Sequence, residues 1–103
     1  MKVNKYKAQP VTTEEGFFAS KREYNHWLIL KLRQKAGEIS NLERQVTFSL
    51  DINGHHICKY VADAVYFEGQ RRVVSDAKGM ETDVFKLKRK LMKAILNIEV
   101  ETA

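Results

Sequence analysis

Apolar residues recur along this chain with two different periods, and the change from one to the other marks out its elements. Tyr24, Trp27, Leu28 and Leu32 recur at helical spacing behind Ser20-Lys21-Arg22-Glu23, which has the form of a capping box. The pattern predicts a first helix over Lys21–Ala36 with that stripe buried. Gly37 ends it, and Ile39 and Leu42 are expected to tuck beneath the connection. The period then drops to two. Val46 to Leu50 alternates apolar and polar, Asn53-Gly54 suits a two-residue hairpin, and Ile57 to Phe67 is a β-branched and aromatic run. A tight turn at Gly69-Gln70 leads into a third strand over Arg72–Ala77. Thr82 then caps a second helix, with Val84, Leu87, Leu91 and Ile95 on one face and Lys86, Arg89, Lys90 and Lys93 elsewhere. Asn97 to Val100 is available for a short closing strand. The order α, β, β, β, α and a further β predicts an α+β fold whose sheet carries its helices on one face.

Length limits this pattern to one core. With 103 residues, 44% hydrophobic and 30% charged, the composition is that of a single globular domain. Met1 to Pro10 carries three lysines, the only proline and no apolar periodicity, so residues 1–15 are expected to be a flexible basic arm ahead of a domain over 16–103. No apolar run approaches the roughly 18 residues of a membrane span, and no secretory signal stands at the start, so no membrane is expected and the cytoplasm is the expected compartment. Cys58 is alone, which excludes an internal disulfide and a cysteine-based zinc cluster.

Charge changes the picture more by its placement than by its sum of +5. Between Arg71 and Lys93 eight basic residues stand against three acidic ones. Such a surface invites a polyanion, although a solvated helix face accounts for the same charges.

The sharpest chemical signal lies in the second hairpin. A two-residue turn at Gly69-Gln70 pairs residues whose numbers add to 139, which sets Asp63 opposite Asp76 and Val61 opposite Lys78. By the period of two, Asp63, Asp76 and Lys78 share a face with Val65 and Val74. Opposed β-carbons lie about 4.5–5.5 Å apart and like charges there repel, so a compensating charge is required. A hard divalent cation with oxygen ligands, magnesium or manganese, suits two carboxylates, and Lys78 reaches the same place to stabilise charge on a phosphate. An Asp–Lys salt bridge on an exposed sheet face is the plainer explanation of the same residues.

This arrangement resembles the PD-(D/E)xK nuclease superfamily, and the resemblance covers nearly the whole chain. It rests on Ser20-Lys21-Arg22-Glu23 opening the first helix, on Asp63 in Tyr-Val-Ala-Asp-Ala-Val-Tyr, and on Ser75-Asp76-Ala77-Lys78-Gly79 before a basic helix. The string is especially similar to small phage-encoded endonuclease-like domains and more distantly to Holliday-junction resolvases and transposase endonuclease subunits. The resemblance implies a restriction-endonuclease-like core, α-β-β-β-α-(β), with a central mixed sheet flanked by helices. It implies a metal-dependent endodeoxyribonuclease, structure-specific for branched DNA in some relatives, leaving 5′-phosphates and acting as a homodimer. Asp63, Asp76 and the main-chain carbonyl of Ala77 would bind the metal, Lys78 would act beside the scissile phosphate, and Glu23 would contribute from the first helix.

Several residues carry two readings. Glu23 stands three after Ser20, so capping explains it without any catalytic duty. Lys86, Lys88, Arg89 and Lys90, and more weakly Lys21 and Arg22, are candidates for DNA phosphate contacts. His55 and His56 point to opposite faces of a strand and cannot easily share a metal, and His26 adds no ligand spacing. Trp27, Phe48, Tyr66, Phe67 and Phe85 fall at core positions. The rival function is a non-catalytic double-stranded nucleic-acid-binding module, which also runs α-β-β-β-α with a basic last helix. Two acids converging on one sheet face would repel phosphate in such a binder.

Overall fold

The computed structural model describes residues 9–103. Its elements are β1 (Val11–Thr13), β2 (Gly16–Phe18), α1 (Lys21–Lys35), β3 (Ser40–Ile52), β4 (His55–Glu68), β5 (Arg71–Asp76), α2 (Asp83–Leu96) and β6 (Val100–Thr102). β3, β4, β5 and β6 form one sheet in that order, antiparallel at the first two junctions and parallel at the last. The fold is α+β, as the order of elements predicts.

The helices cover opposite faces of the sheet, which corrects the expectation that they share one. Adjacent residues on a strand point to opposite sides. Val74 joins Phe85 and Met92 of α2 in the larger core cluster, whereas its neighbour Val73 joins Leu30 of α1 in a smaller one. Connectivity explains the placement. β5 and β6 are parallel, so α2 serves as the crossover on one face and leaves the other bare for α1.

Both helices are also turned from the faces their apolar residues suggest. In α1 only Leu30 is fully buried, while Leu28, Ile29 and Leu32 are exposed at 36, 57 and 67%. The stripe that meets the sheet is Glu23, His26, Leu30 and Arg33, and its polar members find partners there: His26 at Ser75 and Arg33 at Glu68. Polar pairing with the strands thus outweighs burial of two leucines. In α2 the buried residues are Phe85 and Met92, with Leu91 and Ile95 half-buried and Val84 and Leu87 in solvent.

Local signals fared better than helix faces. Ser20 Oγ accepts from Glu23 N–H and Thr82 Oγ1 from Phe85 N–H, each at 3.1 Å, so both predicted caps form. Asn53 and Gly54 have φ of 52° and 78° and Gly69 a φ of 65°, the positive angles that tight hairpins of this twist require. β3 starts at Ser40 rather than Val46, so Leu42, expected beneath a loop, is a strand residue. Of the expected arm over 1–15, residues 1–8 lie outside the described residues. Val11–Thr13 is a correction: it pairs with Gly16–Phe18 as a hairpin. Apolar burial holds that hairpin down. Phe18 is fully buried, edge-on to Tyr24 at 5.0 Å and beneath the Arg44 guanidinium at 3.7 Å. Among the described residues no helix is long and apolar enough to cross a membrane.

Candidate active site

The β4–β5 hairpin has the register the turn dictates. Val65 pairs with Val74 and Ala64 with Ser75, so the next positions along are Asp63 and Asp76. Here the regular ladder stops and side chains take over. Asp63 N–H donates to Asp76 Oδ1 and Ala77 N–H donates to Asp63 Oδ2, both at 2.9 Å. On the other side of β4 the pairing runs Arg44 with Ala64 and Val46 with Ala62, skipping Gln45 and Asp63 without shifting register. Gln45 has a φ of 55°, a left-handed conformation uncommon for a residue with a side chain. This break in the sheet frees the Asp63 backbone to bond the Asp76 side chain.

Asp76 is 1% exposed, and its Oδ2 is buried with no hydrogen-bond partner. Burial therefore pushes its carboxyl above the ordinary carboxylate range, against the opposing effects of the Asp63 N–H and the Lys78 charge. Its main chain is pinned from the far side, where Thr102 pairs with it and Ala103 N–H donates to its carbonyl at 2.9 Å. Lys78 leaves the sheet two residues later, half-buried, with Nζ 4.9 Å from the centre of the Phe85 ring. That contact turns the ammonium toward α2 while the aliphatic stem stays packed.

Glu23 stands at the capped start of α1 and faces the sheet. Its N–H takes the Ser20 cap, its Oε2 accepts from Ala19 N–H at 3.1 Å, and its Oε1 accepts from Gln45 Nε2 at 3.1 Å with Arg44 at 3.5 Å. The carboxyl is raised by burial and then by the charge of Asp63, with Ala19, Arg44 and Lys78 opposing. Glu23 and Asp63 thus belong to one electrostatic group. His26, whose spacing suggests no ligand role, belongs to it as well. Its Nε2 lies 3.0 Å from Ser75 Oγ, and burial holds its imidazole below the usual value although Asp63 pulls the other way. The signal for it was present as the three-residue step from Glu23 along a helix, which places both on one stripe.

The basic candidates divide. Lys21, Lys86 and Lys90 are exposed to solvent. Arg22 lies across the end of the Asp-x-Lys segment, its Nε 3.2 Å from where a Cβ on Gly79 would stand, so a side chain there would push it away. Arg89 is engaged with Glu81 at 3.3 Å and with the Phe85 ring. Lys88 and Lys78 meet Lys59, a residue the sequence reading did not single out, in a cleft of about 290 Å³ between β4 and the start of α2. His56 lies far along the exposed β3–β4 hairpin, 2.8 Å from Asp51.

A divalent cation fits this donor set in one respect and is left short in another. The unpartnered, buried Asp76 Oδ2 beside Asp63 is an oxygen donor of the kind a hard cation takes. No three His, Cys, Asp or Glu side chains among the described residues are gathered as a metal-holding set. Two carboxylates are what a magnesium ion commonly takes from a protein, with water and substrate phosphate filling its other positions. No curated protein and no solved structure matches the chain. A family model does match, over residues 3–101, and the chain belongs to that family, described as a protein of unknown function, DUF1064.

Proposed function

We propose that this protein is a metal-dependent DNA endonuclease of the PD-(D/E)xK kind, with a restriction-endonuclease-like core. One observation carries the reading. Two aspartates are held together across β4 and β5 by backbone hydrogen bonds, Asp76 accepting from the Asp63 N–H and Asp63 from the Ala77 N–H, and the buried oxygen Asp76 Oδ2 is left without a partner. A structural salt bridge does not explain this, since the lysine expected to neutralise the pair lies over Phe85.

Asp63, Asp76 and the Ala77 carbonyl would hold magnesium or manganese, which when bound supplies an acidified water and charge neutralisation at the phosphate. The protein's own groups do the rest. The reciprocal hydrogen bonds fix both carboxylates before any ligand arrives, so little ordering is required on binding. Lys78 presents an ammonium to the phosphate oxygens as negative charge grows on them during in-line attack. Glu23 adds a third negative charge behind Asp63. Both of its oxygens already hold hydrogen bonds, so it acts as a positioning residue. Arg22 borders the same loop, while Lys86 and Lys90 extend the basic surface along α2. The products would carry 5′-phosphates, and a homodimer acting in the cytoplasm completes the proposal.

The rival binding module is less well supported, because its α-β-β-β-α order lacks the parallel β6 that pins Asp76. The test is cleavage of supercoiled plasmid, linear duplex, single strand and four-way junction in magnesium, in manganese and in EDTA. Metal-dependent cutting is expected, lost in Asp76→Ala and Lys78→Ala. Tight binding without cutting in any metal, unchanged by Asp76→Ala, would move the assignment to the binding module.

A further inference from the structure

Residues 55–62 of β4 run on beyond the last pair with β5 and beyond the Asp63 link to Asp76, so in this stretch β4 pairs with β3 on one side and is open on the other. The loop after Asp76 and the first turns of α2 stand beside that open edge and leave the cleft of about 290 Å³. Its volume is at the small end of the roughly 300–1,000 Å³ of ligand clefts, room for one nucleotide-sized group.

The lining is one-sided in charge. Lys59, Lys78 and Lys88 converge on the cleft from β4, the loop and α2, and no acidic side chain lines it. None of the three cleft lysines lies within 4.0 Å of a carboxylate among the described residues. Six basic side chains elsewhere are unpaired in the same sense, so what sets these three apart is their convergence on one cleft with no acid in its lining. Thr82, the cap of α2, also borders the cleft, so the positive end of a fourteen-residue helix adds to the field. Val61 and Val84, 37 and 61% exposed, give it an apolar side.

We propose that this cleft is a phosphate subsite that seats the backbone phosphodiester next to the one at Asp63 and Asp76, with its sugar against Val61 and Val84. The ligand class is a polynucleotide strand. Its position relative to the scissile bond rests on the nuclease reading, while the anion site itself does not. Lys78 belongs to both places, and so sets the direction in which the strand leaves the carboxylates, along the open edge of β4 toward Lys59.

Binding of a short fluorescein-labelled duplex in EDTA tests the subsite without any cutting, across a series of salt concentrations. Lys59→Gln and Lys88→Gln keep a polar side chain, one atom shorter than lysine, and remove the charge. Each is expected to weaken binding and to make the dependence of log affinity on log salt shallower by about 0.9, the share of one duplex phosphate contact. Lys93→Gln, a charge-matched change outside the cleft, is expected to leave that slope alone. Competition by inorganic phosphate separates a free-phosphate site from a strand site: displacement of the duplex only near the ionic strength that any salt requires supports the strand. Equal slopes for Lys59→Gln, Lys88→Gln and Lys93→Gln would overturn the subsite, as would binding of inorganic phosphate with none of the duplex. Cleft-dependent binding in a protein that never cuts in any metal would leave the subsite standing and remove the nuclease reading.

Discussion

Asp63 and Asp76 each accept a backbone N–H from the opposite side of their hairpin, Asp76 Oδ1 from Asp63 and Asp63 Oδ2 from Ala77. Each carboxylate therefore has one oxygen committed to holding the geometry. In Asp76 the other oxygen is buried with nothing to receive.

That orphaned oxygen has a measurable consequence for stability. The folded-state value of Asp76 is raised, so the native protein holds this proton at pH values where the unfolded chain, near the ordinary value of about 3.9, has released it. Stability without added metal should accordingly fall as pH rises from the ordinary aspartate range through the raised value. Asp76→Asn removes the charge and should raise the Tm near neutral pH by roughly 4–8 °C, about 1 kcal/mol in a domain of this size, with the gain fading on acidification. Calorimetry in EDTA checks this. A variant less stable than wild type at neutral pH would mean that the charge has a stabilising partner.

Glu23 allows its two duties to be separated. Ser20→Ala removes the cap and should cost about 1 kcal/mol, with cutting per folded molecule retained. Glu23→Gln should keep most of the stability yet lower cleavage about ten-fold or more, because the charge behind Asp63 is lost. Unchanged cleavage would reduce Glu23 to a cap.

The rotation of α1 predicts a contrast between two leucines two residues apart. Leu30→Ala should cost about 2–5 kcal/mol, since Leu30 is 2% exposed. Leu32→Ala, at a position 67% exposed, should stay within about 0.5 kcal/mol. Chemical denaturation of both distinguishes this face from the one the apolar spacing suggests, on which the second change would be the costlier.

His26 should titrate below its ordinary value of about 6.5 when followed by NMR, because it is partly buried. Asp63→Asn should lower it further, since the Asp63 charge is what favours the imidazolium. An unmoved His26 in that variant would separate it from the carboxylate group.

The site was more legible in the sequence than the way the helices pack on it. Turn chemistry fixes a hairpin register through two residues, so the juxtaposition of Asp63 and Asp76 followed from Gly69-Gln70 alone. Caps are equally local, and Ser20 and Thr82 announced both helices. The faces of α1 and α2 were not readable, because an apolar stripe records what a helix can bury and not what the sheet beneath offers. Ser75 and Glu68 draw in His26 and Arg33 and leave Leu28 and Leu32 outside. The break at Gln45 was hidden for a similar reason: a left-handed residue other than glycine or asparagine has no signature in an alternating strand. The hairpin over residues 11–18 depends on Phe18 meeting Arg44 and Tyr24, contacts distant in sequence that a lysine-rich opening does not suggest.

The open edge of β4 bears on how copies of this protein behave toward one another. An unpaired strand edge is a template for a strand from a second molecule, and lysines along it are a common defence against such pairing. Lys59 and Lys78 stand beside this edge, neither within 4.0 Å of a carboxylate among the described residues, so an incoming strand would have to desolvate both. Replacing both with apolar residues should leave the fold intact and first reveal itself as sheet-like self-association at high concentration, detected by sedimentation and by dye binding to β-aggregates.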